Sequence, residues 1–419
     1  MKPVPLYLFV LVAVSFLFAG PASAQKIRIK LDAFLDLPSA WEMTPEELEK
    51  AFDIKKGKRN VFFKWLTKDK SRAHFQRRPY SNLELNLTIF EGEKMIPLEE
   101  AIIDFKDGKF LGMTLSLMNR GDSGGLEDLP AEEFNRRFKT CGKEIGARLE
   151  TRPFRREARP KQGMLTEGWI WISQAGMAVL EHNPEAPETI EYLRLRFARR
   201  DAKGAYAAAM QTRPEAAVKL SDLPENVTED EEGNVFIENI PMVDQGRKGY
   251  CVVASAQRLF EYYGIPCDQH QLAQIAEADP NRGTSTVTIT NELGKIDHLF
   301  KIRFEALVMG QMGRLFEVEN NKFLSEQIDD EEFHKIIRKY VDEGIPLLWA
   351  LQLGFFPEEP AISQQAVGGH MRMIIGYNKK TNRVIFSDSW GAGHEFKTMN
   401  PDHAFKASSG LFLLKPITR

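Results

Sequence analysis

Three residues that can do chemistry together stand far apart in this chain. Cys251 follows the turn-rich stretch Val243-Asp-Gln-Gly-Arg-Lys-Gly-Tyr250 and opens a run to Tyr263 without glycine or proline. In that run Ala254, Leu259 and Tyr262 or Tyr263 fall on one side and Gln257, Arg258 and Glu261 on the other, which is helical spacing. Gly264 and Pro266 supply the stop signal. Cys251 therefore belongs to the first turn, where unpaired backbone N–H groups and the positive end of the helix dipole favour a thiolate. His370 heads an apolar run to Tyr377 that reads as a buried strand, and Asp388 ends the next one, Val384-Ile-Phe-Ser387. The connection Asn378-Lys-Lys-Thr-Asn382 is short enough for a hairpin, so adjacent strands carry His370 and Asp388 side by side. A thiolate, an imidazole and a carboxylate so arranged make a nucleophile, a proton carrier and a group that orients it.

These stretches resemble the papain-like cysteine peptidases, and within them the bacteriocin-processing (double-glycine leader) peptidase-like group. Gln245 six residues before Cys251, the cysteine at a helix start, Gly369-His370 opening a hydrophobic strand and Ser389-Trp390-Gly391 after the third residue carry the resemblance. It implies Cys251 as nucleophile, His370 as base and acid, Asp388 as the residue that orients His370, and the Gln245 amide with the Cys251 backbone N–H as the oxyanion hole. No cofactor and no metal are implied. Papain has asparagine where this chain has Asp388, and Tyr250 stands where papain has another residue type with a disulfide-bonded cysteine close by. With a resting thiolate and imidazolium an amide oxygen can still accept from the ring, so asparagine at 388 is expected to cost only ~10-fold. Transglutaminase-type acyl transfer uses cysteine, histidine and aspartate in the same order, and a catalytically inactive papain-like binding module is a third reading. The Gln245 spacing and Ser-Trp-Gly favour the peptidase over the first, and the full set of four residues favours it over the second.

At 419 residues the chain is too long for one ordinary core, and its 43% hydrophobic and 27% charged content is that of a globular protein. The formal net charge of −3 argues against a nucleic-acid binder working through bulk positive charge, and the resemblance implies a peptide or protein substrate instead. The expected class is α+β. A mixed-strand domain with a long helix spans 25–205, an acidic and polar linker 206–234, and a papain-like two-lobed cysteine peptidase domain 235–419. Lys2, an apolar run over 6–18 and Ala22-Ser-Ala24 read as a secretory signal over 1–24. The expectation is an exported chain, periplasmic or extracellular, with no integral membrane segment after cleavage.

The remaining candidates read as structure. Cys141 lies on the apolar face Phe134, Phe138, Ile145, Leu149 of a helix expected over 131–150, and Cys267 precedes Asp268, an N-cap with Gln271 three residues on. Three cysteines make no disulfide framework, though sequence leaves a Cys141–Cys267 bridge open. His74 and His182 are lone histidines with packing or surface roles, Arg152, Arg155, Arg156, Arg159 and Lys161 read as a solvated loop, and Asp122-Ser-Gly-Gly125 as a turn. Thr44-Pro-Glu-Glu47 is a capping box, and Asp107-Gly108 the turn of a hairpin.

Overall fold

The computed structural model describes residues 25–52, 62–77, 83–120, 130–159, 166–210, 216, 218–246, 249–276, 286–309, 328–361 and 368–418. The expected signal over 1–24 and the turn at Asp122 to Gly125 lie outside them. Described residues up to Ala202, apart from Ala158 and Arg159, form one compact unit, and those from Lys203 onward the other. Helices and sheets occur in both, as expected of the α+β class. None of the helices among the described residues is long and apolar enough to cross a membrane.

The first unit runs β1 (Gln25–Lys30), α1 (Pro45–Ala51), β2 (Lys64–Trp65), β3 (Arg72–Gln76), β4 (Leu83–Ile89), β5 (Ile96–Leu98), β6 (Glu100–Lys106), β7 (Lys109–Asn119), α2 (Ala131–Leu149), β8 (Phe154–Arg156), β9 (Glu167–Ile172), β10 (Met177–His182) and β11 (Tyr192–Ala198). Thr44 accepts from the Glu47 N–H and its own N–H donates back to the Glu47 carboxylate, so the capping box forms. Asp107 and Gly108 take φ of 52° and 72°, the left-handed pair that a two-residue hairpin turn needs. The sheet order is β2-β3-β6-β7-β11-β10-β9-β8, and α2 packs on β9 and β10. Cys141 is buried in this unit's core and Cys267 in that of the other, and both are thiols.

One surface expectation fails here. Arg156 is buried, with its Nη2 donating to Glu181 at 2.6 Å and to Thr166 at 2.7 Å, because Glu181 points inward and needs cations. Arg194 and Arg196 meet the same carboxylate.

The second unit comprises α3 (Ala205–Ala209), β12 (Val227–Glu229), β13 (Asn234–Ile237), α4 (Cys251–Tyr262), α5 (Gln269–Ile275), α6 (Thr286–Ile296), β14 (Ile302–Met309), α7 (Asp330–Asp342), β15 (Leu347–Leu353), β16 (Glu358–Glu359), β17 (Gly368–Asn378), β18 (Val384–Ser387), β19 (Lys397–Met399), α8 (Pro401–Ala407) and β20 (Ser408–Pro416). Its antiparallel sheet has the order β14-β20-β15-β17-β18-β19-β16, and β13 joins through β17. Helices α4 and α7 both pack on β17, so the strand headed by His370 is the spine of the unit.

The stretch expected to be a linker over 206–234 is largely part of this unit. Leu223 is fully buried in its core, Leu220 N–H bonds Thr418 O at 2.9 Å, and β12 pairs with β13. Averaging over an acidic stretch hid Leu220, Leu223 and Val227, which anchor it. Gly344, with φ of +71°, lies so close that an added Cβ would fall 2.1 Å from Leu223 O. Gly344→Ala is therefore expected to lower stability by about 2–4 kcal/mol in urea unfolding of the full chain, through backbone strain and loss of that contact. A loss under ~0.5 kcal/mol would show that Leu223 is not held there.

Candidate active site

Strand β17 is apolar and buried along most of its length, yet carries His370 and Arg372 two positions apart and so on one face. Both reach the same carboxylate. His370 Nε2–H donates to Asp388 Oδ1 at 2.8 Å, and Arg372 Nε–H donates to Asp388 Oδ2 at 2.7 Å. The Ser389 N–H donates to Oδ1 at 2.9 Å. Asp388 follows the end of β18, where its own N–H donates to His394 O at 2.9 Å. It is fully buried, and these four hydrogen bonds to its backbone and carboxylate fix it.

Helix α4 is fastened to both of these strands. Cys251, Ser255 and Arg258 recur at positions i, i+4 and i+7, one face of a helix. Ser255 Oγ donates to Met371 O at 3.4 Å and meets Ser389 Oγ at 3.2 Å. Arg258 donates from Nε to Pro241 O at 2.8 Å and from Nη2 to Ser387 Oγ at 2.6 Å. The first residue of that face, Cys251, is hydrogen-bonded to His370 and accepts from the Met371 N–H. Since Nε2 is engaged by Asp388, Nδ1 is the ring nitrogen left for the sulfur.

Gln245 is buried, and its N–H donates to Ser389 O at 3.0 Å, beside Asp388. Asp244 bridges to Trp390, and Gly246 N–H bonds the Asp244 carboxylate at 2.8 Å, so the turn before the helix is tied to Ser389-Trp390. The Trp390 ring stacks on His370 with centroids 4.8 Å apart and planes 28° apart. It covers the imidazole with an apolar face.

The charges follow from burial and partners. Burial opposes ionisation of Asp388, but His370 and Arg372 overcome it and hold the carboxyl well below the usual carboxylate range. Burial also lowers His370, and Asp388, with help from Cys251, reverses this and lifts the imidazole to about 9. For Cys251 burial again disfavours charge, and the His370 hydrogen bond and charge with the Met371 N–H leave the thiol below its ordinary value. A thiolate–imidazolium pair is the favoured state between the two.

Cys251, His370 and Asp388 thus stand in one hydrogen-bonded row, with the Gln245 backbone beside its far end. Sequence reasoning passed over Arg372, and with it Glu358 and Lys397, which continue the row. Arg372 Nη1 donates to Glu358 at 2.5 Å and Lys397 to the same carboxylate. The signal was a cation in the middle of a strand that is otherwise apolar. The carbonyl of His394 accepts from the Asp388 N–H and the Ser387 hydroxyl.

Residues 237–409 match the model of a Peptidase_C39 like family. No curated protein matches the chain. Among solved structures, the peptidase domain of Streptococcus ComA, described as a bi-functional ABC transporter involved in a quorum-sensing pathway, is 15% identical, with a TM-score of 0.24 over 42% of this chain and 96% of that one. Xylellain, a cysteine protease from Xylella fastidiosa, is 12% identical, with a TM-score of 0.26 over 49% of this chain and 92% of that one.

The charge pattern sets an expectation for thiol chemistry. Cys251 is expected to alkylate rapidly with iodoacetamide at mildly acidic pH, where Cys141, whose thiol burial pushes far upward, stays unlabelled. The rate should fall as pH drops through the depressed Cys251 value. Mass mapping that finds Cys141 or Cys267 labelled first overturns the assignment.

Proposed function

We propose that the second unit is a papain-like cysteine peptidase of the group whose model residues 237–409 match, and that it hydrolyses peptide bonds with Cys251, His370 and Asp388 as a triad and Gln245 in the oxyanion hole. The observation that carries this reading is the row from Cys251 through His370 to the buried Asp388. The Cys251 thiolate attacks the scissile carbonyl carbon, forming a C–S bond and an oxyanion. The Cys251 N–H, in the unsatisfied first turn of α4, and the Gln245 amide supply donors that do not titrate. Proton transfer from His370 Nδ1 to the amide nitrogen lets the C–N bond break and the amine leave. Water then attacks the thioester as Nδ1 takes its proton, the C–S bond breaks, and the acid product departs with the thiolate restored.

The family match favours hydrolysis over transglutaminase-type transfer, and the ionised row favours an active enzyme over an inert binding module. The amino-terminal pattern of charge, apolar run and Ala22-Ser-Ala24 supports an exported enzyme that meets its substrates in the periplasm or outside the cell.

With an internally quenched peptide chosen from a library for cleavage by the wild type, Cys251→Ala and His370→Ala are expected to abolish turnover. Gln245→Ala should lower kcat by about 10²-fold with KM little changed, the mark of a donor used in the transition state. The rate should also decline above about pH 9, where His370 loses the proton that the leaving amine needs. Full activity in Cys251→Ala, or transfer to added glycinamide in preference to water, contradicts the proposal.

A further inference from the structure

Arg372 is a fully buried cation in contact with the carboxylate that orients the histidine, and the triad chemistry gives it no task. Its three donor nitrogens are divided between two acids. Nε serves Asp388 Oδ2 at 2.7 Å, while Nη1 and Nη2 serve Glu358 at 2.5 and 3.3 Å. Lys397, also buried, bonds Glu358. From the nucleophile outward the row is Cys251, His370, Asp388, Arg372, Glu358, Lys397, and with the pair ionised the signs alternate without interruption. These residues come from α4, β17, the end of β18, β16 and β19, and His394 is a further titratable group near Asp388. The guanidinium also lies over the rings of Phe386 and Trp390, at 4.7 and 5.6 Å.

The donor geometry restricts what position 388 can be. Aspartate accepts at both oxygens, from His370 and Ser389 on Oδ1 and from Arg372 on Oδ2. An asparagine has one acceptor. Turned with its oxygen to His370, it points an NH₂ at the Arg372 Nε–H; turned the other way, it points the NH₂ at the His370 Nε2–H. Either way two buried donors face each other, and the buried guanidinium loses the charge of the carboxylate at 388 while keeping Glu358.

Resting on the reading of Asp388 as the group that orients His370, we propose that Arg372 is a positioning residue for the reaction: it locks Asp388 in the rotamer that presents Oδ1 to His370 and makes position 388 intolerant of asparagine, with Glu358 offsetting its charge and Lys397 that of Glu358. The ~10-fold cost expected for asparagine from the histidine alone is then too small. Glutamine at 372 removes the conflict, because its oxygen, at about the position of the arginine Nε, can accept from the NH₂ of an asparagine at 388.

The test is a double-mutant cycle on the full chain with the same quenched peptide. Asp388→Asn is expected to lose about 10³-fold in kcat at nearly constant KM, Arg372→Gln about 10-fold, and the double variant to recover at least about 10-fold over Asp388→Asn alone. Packing lost without a positioning role makes the double variant as poor as Asp388→Asn or poorer, which overturns the proposal. An Asp388→Asn enzyme within about 10-fold of wild type also overturns it and leaves the triad reading intact; wild-type activity in Asp388→Ala removes the triad reading itself. Should Asp388→Asn not fold, the pH dependence of Cys251 alkylation in Arg372→Gln decides. Loss of the cation should move the thiol upward by about half a pH unit, and an unmoved profile counts against the proposal.

Discussion

A carboxylate with no exposure to water sits at the centre of the second unit. Left alone, Asp388 would cost several kcal/mol to bury as an ion and would take up a proton instead. It stays charged because His370 and Arg372 approach its two oxygens from one strand face. The rest of the second unit can be read as what that arrangement requires. Strand β17 must be held on both sides, by β15 and β18, so that both cations point one way. The turn after β18 must offer the Ser389 N–H, and Trp390 must cover the imidazole. Arg372 in turn requires Glu358, and Glu358 brings Lys397. Each ion is buried only because the next one is.

This chain of compensation also explains how the Cys251 sulfur is favoured as a thiolate. A helix start favours a thiolate by a modest amount, typically about 0.3–1 kcal/mol, too little to overcome burial of the sulfur. The larger effect comes from the imidazolium, which exists near neutral pH because Asp388 raises it. Helix α4 keeps the sulfur against the ring through Ser255 and Arg258, which grip the backbone of β17 and the end of β18. Removing either clamp shifts Cys251 against His370, and for the proposed reaction near-attack geometry is sensitive to ~1 Å.

Much of the site was legible in the sequence, since each member announced itself locally. Cys251 followed a turn and opened a run with helical period, and His370 and Asp388 marked strands joined by a short connection. The hairpin at Asp107-Gly108 and the caps of α1 and α5 were legible for the same reason, because turn and cap chemistry acts over two to four residues. What escaped was set by partners distant in sequence. Glu358 and Lys397 look like surface residues until Arg372 is seen between them, and Arg156 reads as part of a basic loop until Glu181 is found facing it. The packed stretch around Leu223 was lost to averaging, as one buried leucine weighs little in an acidic segment but much in a core.

The central claim is that His370 rests as an imidazolium between a thiolate and a buried, doubly held carboxylate. ¹⁵N NMR of the imidazole in the active full-length protein, titrated from about pH 5 to 10, measures this directly. The account predicts two protonated ring nitrogens at neutral pH and loss of one proton at about pH 9. A ring carrying a single proton at neutral pH would mean that the resting pair is neutral, and that Asp388 and its neighbours do not charge the nucleophile.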